Sequence, residues 1–273
     1  MTRQQLIQQI VQKRSYLCVG LDSDVEKLPA GLPRSSDGVL AFNKAIIDAT
    51  RAHCVSYKVN TAFYESLGAA GWSVMEQTID YIGKEHFLIA DAKRGDIGNT
   101  ADQYARAFFK TLSFDAVTIA PYMGSDSVKP FLQVPGKWGI VLGLTSNPGA
   151  ADFELLPCGQ QLLYEKVMQT ASSWGQPDNL MFVVGATRSD VIGAIRKKYP
   201  DHFFLVPGVG AQGGSLEEVS RQSLTSDGGL LVNVSRAIIF ASSQQDFAER
   251  AAAEASGYQQ QMAVLLGELP AFA

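Results

Sequence analysis

Phe87-Leu88-Ile89-Ala90-Asp91-Ala92-Lys93-Arg94-Gly95-Asp96-Ile97-Gly98-Asn99-Thr100 reads as a joint between a buried strand and a helix. The apolar run Phe87–Ala90 predicts the strand. Residues two apart on a strand share a face, so Asp91 and Lys93 are expected to project side by side at its end. Gly95 lets the backbone turn sharply, and Asp96 follows in that turn. A lysine between two carboxylates keeps its proton, because nearby negative charge favours the ammonium form. A lone Asp-x-Lys is most often a strand-end ion pair capping a loop, so the rest of the chain must decide.

Working outward from this joint, the same unit recurs. Apolar runs fall at 16–21, 55–59, 87–91, 116–120, 139–144, 180–184, 203–206 and 230–234. Helix-length segments lie between them near 38–53, 71–84, 100–112, 125–133, 159–174, 189–198 and 215–224, with a last one near 244–266. Strict βα alternation predicts a parallel sheet, and eight units predict a closed (β/α)8 TIM barrel. A doubly wound open sheet is the alternative, but it usually has fewer repeats and a visible break in order. The segment Met1–Arg14 adds an amphipathic N-terminal helix, and no linker or composition shift divides residues 1–273, so one barrel domain is expected. Ser189-Asp190 and Ser215-x-x-Glu218 have the look of helix N-caps, and Pro200 ends the helix before the seventh strand.

Composition narrows the function. An apolar fraction of 46 % is ample for a core, and a net charge of −4 without a basic block invites neither nucleic acid nor an anionic membrane. No run approaches the roughly 20 apolar residues of a membrane helix, so a soluble cytoplasmic protein is expected. Cys18, Cys54 and Cys158 have no metal-binding or disulfide spacing.

In such a barrel the active site lies where strands end. Asp22 ends strand one, Lys58 lies near the end of strand two, and Asp91 and Lys93 end strand three. Ser146 follows strand five, Gly208 and Gly210 strand seven, and Arg236 strand eight. His53, His86 and His202 all precede strands, which argues against histidine acid–base chemistry. Lys58 alone would snorkel from the rim. With Asp91 on the next strand, an alternating array Lys58–Asp91–Lys93–Asp96 becomes plausible, and such arrays seldom serve stability. Pro207-Gly208-Val209-Gly210-Ala211-Gln212-Gly213-Gly214, with Arg236 beside it, suits a phosphate. Gly208-x-Gly210-x-x-Gly213 also matches a dinucleotide fingerprint, but it sits in the seventh unit, and no strand-end acid appears about 20 residues on, the next strand closing with Asn233. A nicotinamide site is therefore discounted.

Leu21-Asp22, Tyr57-Lys58-Val59, Asp91-Ala92-Lys93-Arg94-Gly95-Asp96-Ile97, Thr145-Ser146-Asn147-Pro148-Gly149, the Pro207–Gly214 loop and Arg236 together resemble the orotidine 5′-monophosphate decarboxylase family. The resemblance spans nearly the whole chain and points to the longer bacterial branch, with enlarged loops at 23–37 and 150–160 whose residues have no carried-over role. It implies cofactor-free, metal-free loss of CO2 from orotidine 5′-monophosphate to give uridine 5′-monophosphate. By that likeness Asp22 and Lys58 would hold ribose hydroxyls, Lys58 orienting Asp91 as well, which would sit beside the substrate carboxylate. Lys93 would protonate C6, and Ser146 would bind the pyrimidine. Gln212 and Arg236 would grip the phosphate. Asp96, Ile97 and Thr100 would reach the site of a neighbouring subunit in a homodimer. The competing readings are a metal-dependent sugar-phosphate enzyme on the same barrel, which Lys58 disfavours by charge, and a non-catalytic nucleotide-phosphate-binding barrel, which leaves the charge array without purpose.

Overall fold

The computed structural model describes residues 1–210 and 213–272, and for residues 188–190 the backbone alone. Eight parallel strands close into a barrel: β1 Leu17–Leu21, β2 Ser56–Asn60, β3 Phe87–Arg94, β4 Ala116–Ile119, β5 Trp138–Leu144, β6 Leu180–Val184, β7 Phe204–Pro207 and β8 Leu230–Val234. The ring shuts where β1 meets β8, with Leu17 opposite Val232 and Val19 opposite Val234. Strands covered on both faces need continuous apolar runs, and β1, β6 and β8 are buried at every position.

The helices are α1 Arg3–Lys13, α2 Ser36–Thr50, α3 Thr61–Glu65, α4 Gly68–Ile82, α5 Gly98–Arg106, α6 Ser125–Leu132, α7 Ala150–Phe153, α8 Leu163–Ser172, α9 Ser189–Lys198, α10 Leu216–Ser223, α11 Arg236–Ile239 and α12 Phe247–Gly267. The short α3, α7 and α11 fall in loops where no helical period is long enough to read. The helix expected from 159 starts at Leu163, because Pro157–Cys158 and Gln161–Leu162 pair as an antiparallel hairpin turning at Gly159, whose φ is +67°. The helix expected over 100–112 is α5 followed by a π-helical turn, Ala107–Thr111. Ser215 caps α10, its Oγ accepting from the Glu218 N–H at 3.2 Å. The proposed cap at Ser189-Asp190 lies outside the described side chains.

Helix α1 closes the N-terminal end of the barrel. Thr2 and Gln5 form a reciprocal capping box, and Lys13 Nζ donates to the carbonyls of Arg51 and Cys54 at 2.8 Å each. Above it, fully buried Trp138 meets Phe87 and Phe203 edge-on at 5.9 and 6.5 Å, contacts worth about 0.5–1.5 kcal/mol each beyond their burial. All three histidines sit at this end, in agreement with the sequence. His86 Nε2 lies 2.9 Å from Lys13 Nζ, and burial with that ammonium lowers its pKa to about 4. With the lower end given over to packing, the polar strand ends are left to the opposite face.

Candidate active site

At the C-terminal face four charges meet. Lys58, on β2, is only 4 % exposed, and its Nζ donates to Asp91 Oδ2 at 2.6 Å and lies 3.6 Å from Asp22 Oδ1. Burial alone would lower the Lys58 pKa, but Asp22 and Asp91 outweigh it and hold the ammonium above its ordinary range. Burial likewise pushes the Asp91 carboxyl upward, and Lys58 and Lys93 together overcome it, keeping Asp91 ionised well below the carboxylate range. Lys93 Nζ closes the array on Asp91 Oδ1. Its side chain is half exposed and faces the cavity side of Asp91.

Asp91 and Lys93 do not meet through the plain two-residue repeat of a strand. The pairing of β3 with β4 shifts register between Ala90 and Arg94, a bulge, and Lys93 adopts φ +45°. A left-handed backbone at a lysine is strained, the kind of departure that clusters at functional sites. The bulge frees the N–H groups of Ala92 and Lys93 from the ladder, and the Thr118 hydroxyl oxygen accepts both, at 3.0 and 2.9 Å. Thr118 Oγ1 also lies 3.2 Å from Asp91 Oδ1. Arg94 then turns outward to pair with Glu65 of α3, its guanidinium 5.1 Å from the Tyr104 ring centroid and 5.3 Å from that of Phe108.

Asp96 does not join this array within the chain. Past the bulge and Gly95 the loop runs away from the cavity, and Asp96 Oδ1 accepts the N–H of Ile97 at 2.8 Å instead. Among the described residues it forms no ion pair. Asp22 takes its place, giving Asp22–Lys58–Asp91–Lys93. Ile97 is 49 % exposed, Thr100 is exposed, and neither lines the cavity.

That cavity, about 310 Å³, is bounded by Asp22, Lys58, Asp91 and Lys93 on one side and by Ser146, Gly208 and Arg236 on the other. A larger one of about 710 Å³ lies at the N-terminal end, between α1 and residues such as Lys84, Asp115 and Lys137. It holds no strand-end charges, so the chemistry belongs to the first. Gly208 and Gly210 have φ of +99° and +75°, conformations a side chain would strain. Their loop is stitched by Gly214 N–H to Gly208 C=O and Gly210 N–H to Gly214 C=O, both 3.1 Å. Gln212 lies outside the described residues. Arg236 opens α11, is exposed at the cavity rim, and has no partner among the described residues. Ser146 Oγ is buried, lines the cavity and has no hydrogen-bond partner among the described residues.

Thr118, Asn60, Asn233 and Ser235 also line the cavity, as do Thr145 and Asn147 of the resembling stretch, and none of the six is given a role by the sequence. The available signal was a polar residue late in an otherwise apolar strand: Thr118 in Ala116-Val117-Thr118-Ile119 and Asn233 in Leu230–Val234. Among the described residues no group of three or more His, Cys, Asp or Glu side chains could hold a metal.

Comparison with known proteins shows the family to which this barrel belongs. A family model described as Orotidine 5′-phosphate decarboxylase / HUMPS family matches residues 15–251. The orotidine 5′-phosphate decarboxylase of Christiangramia forsetii is 54 % identical over 272 residues, 98 % of this chain and 100 % of that protein. That of Flavobacterium johnsoniae is 54 % identical over 269 residues, 97 % of this chain and 98 % of that protein. Among solved structures, Leishmania donovani OMP decarboxylase superposes with a TM-score of 0.81 at 37 % identity, covering 95 % of this chain and 100 % of that one.

Proposed function

The chain belongs to the orotidine 5′-phosphate decarboxylase / HUMPS family, and from that premise we propose how its side chains divide the work. As a carboxy-lyase it converts orotidine 5′-monophosphate to uridine 5′-monophosphate in pyrimidine biosynthesis. The observation that carries the assignment of roles is the chain of contacts Asp22–Lys58–Asp91–Lys93 at the edge of the cavity.

In the reaction the bond from C6 to the carboxylate breaks, CO2 departs, and the electron pair remains on C6. Lys93 delivers its Nζ proton to that carbon and stabilises the developing charge beforehand as an ammonium. Asp91, held ionised by two lysines, sits beside the substrate carboxylate and disfavours it in the ground state. Lys58 fixes Asp91 and, with Asp22, takes ribose hydroxyls. Ser146 binds the pyrimidine through its unpartnered hydroxyl. The Gly208–Gly210 turn, Gln212 and Arg236 take the phosphate, whose binding energy is spent far from the reacting carbon on aligning the site.

A second copy of the chain completes each site by supplying Asp96, Ile97 and Thr100, a role that fits their absence from the lining of their own cavity. Exposed Ile97, Tyr122 and Met123, at 49 %, 91 % and 50 %, support an interface on the loops after β3 and β4. The three free thiols suit a reducing compartment such as the cytoplasm; separately, no helix among the described residues is long and apolar enough to cross a membrane.

The test is an absorbance assay with orotidine 5′-monophosphate in buffer containing EDTA. Loss of the orotate chromophore with uridine 5′-monophosphate as product is expected, because the Lys58 ammonium fills the space between Asp22 and Asp91 that a divalent cation would need. Activity lost in EDTA and restored by magnesium would transfer the chain to the metal-dependent sugar-phosphate enzymes.

A further inference from the structure

The segment after β5 has a carboxylate that reaches back to the active-site loop. Glu154, just past α7, accepts two hydrogen bonds from one residue: the Thr145 N–H on Oε2 and the Thr145 hydroxyl on Oε1, both at 2.7 Å. Its own carbonyl is held by the Tyr164 N–H at 2.9 Å, which fixes Glu154 to the start of α8. Thr145 Oγ1 also lies 2.6 Å from the Asn147 side-chain amide. That hydroxyl has one proton, which lies between the two oxygens it reaches, Glu154 Oε1 and Asn147 Oδ1. The residue between Thr145 and Asn147, Ser146, has its hydroxyl buried at the cavity wall and unpartnered among the described residues. On the other side it packs over Gly185, where an added Cβ would lie 2.1 Å from Ser146 Oγ.

We propose that Glu154 is a positioning residue that sets the height and direction of the Ser146 hydroxyl by clamping Thr145. It touches no substrate and acts only through Ser146. A bidentate carboxylate suits this role because it fixes both the backbone and the side chain of Thr145, leaving that residue no rotation. The inference rests on the decarboxylase reading for the identity of the substrate, but not for the clamp itself.

The experiment is a double-mutant cycle on the full chain, reading kcat/KM for orotidine 5′-monophosphate. Glu154→Ala should lower it about tenfold in the parent and less than about twofold in Ser146→Ala, since a residue acting through another loses its effect when that one is gone. Glu154→Gln should stay within about threefold of the parent, because its oxygen still accepts the Thr145 N–H while its amide donates to the hydroxyl. An equal loss in both backgrounds, no loss in the parent, or a Gln variant as impaired as Ala would overturn the proposal. If Glu154→Ala does not fold, Thr145→Val cuts the hydroxyl half of the clamp from the other end and enters the same cycle. Amide hydrogen exchange of the 142–150 segment is read alongside. Faster exchange at Thr145 in the Ala variant is expected, and unchanged exchange overturns the clamp even if the parent proves to have another activity.

Discussion

Replacing Lys58 with Met keeps much of the stem packing and removes one buried charge. Lys58 is 4 % exposed and stands 2.6 Å from Asp91 and 3.6 Å from Asp22, so its loss strands two carboxylates. Asp91 retains Lys93 and Thr118, whereas Asp22 Oδ1 is already buried without a hydrogen-bond partner among the described residues. Breaking a buried pair by deleting one partner costs about 3–5 kcal/mol. At roughly 2–4 °C per kcal/mol for a chain of this size, the melting temperature should fall by roughly 6–20 °C near pH 7. The pH dependence adds a sign. In the parent, the depressed Asp91 pKa gives stability that is present above the ordinary value of 3.8 and is lost only as pH falls through the folded value. In the Met variant, burial raises the carboxyl with only Lys93 opposing, so protonation relieves the cost and the deficit against the parent should shrink from pH 7 toward pH 5. Thermal melts followed by circular dichroism, with urea titrations at both pH values, measure it. A drop under about 2 °C, or a deficit that grows on acidification, refutes the electrostatic account of Lys58.

Gly185→Ala places a methyl 2.1 Å from Ser146 Oγ, and the displaced hydroxyl should lower kcat/KM for the nucleotide about tenfold or more, for overpacking of roughly 1–3 kcal/mol. If Arg236 holds the phosphate as proposed, Arg236→Ala should cost a charge-assisted contact of about 1.5–3 kcal/mol, so KM should rise roughly 10- to 150-fold with kcat less affected; equal KM values would remove Arg236 from the phosphate site. His86, lowered to about 4 from 6.5, favours folding above pH 6.5 and loses that contribution as pH falls toward 4. His86→Gln should therefore flatten the fall of melting temperature across that window. Mixing Lys93→Ala with Asp96→Ala protein should restore about a quarter of the parent activity, since half the dimers are mixed and each has one intact site. Activity no greater than the sum of the two variants would place Asp96 outside a shared site.

The barrel was legible because parallel strands covered on both faces must be short continuous apolar runs, and all eight fall within two or three residues of their expected bounds. The lysines and aspartates at strand ends were legible for the complementary reason, since charge in such runs is costly unless it is used. The bulge in β3 was not. It depends on how β3 pairs with β4 and on a hydroxyl from Thr118, neither of which a single strand reveals, so the two-residue repeat placed Lys93 correctly beside Asp91 for the wrong geometric reason. Asp96 stays out of its own chain's array for the same cause, since Asp96 Oδ1 accepts the Ile97 N–H instead; only the family resemblance, not the strand repeat, directs it to a neighbouring subunit. Glu154 stayed hidden because its partner, Thr145, is nine residues away across a loop and a four-residue helix with no readable period.

Lys93→Ala, assayed for turnover of orotidine 5′-monophosphate and for affinity toward uridine 5′-monophosphate in the same preparation, tests the account at its centre. Loss of at least about a thousandfold in kcat, with product affinity within about tenfold of the parent, is the result predicted for a proton donor and preorganised charge. Turnover near the parent level would mean that another group protonates C6.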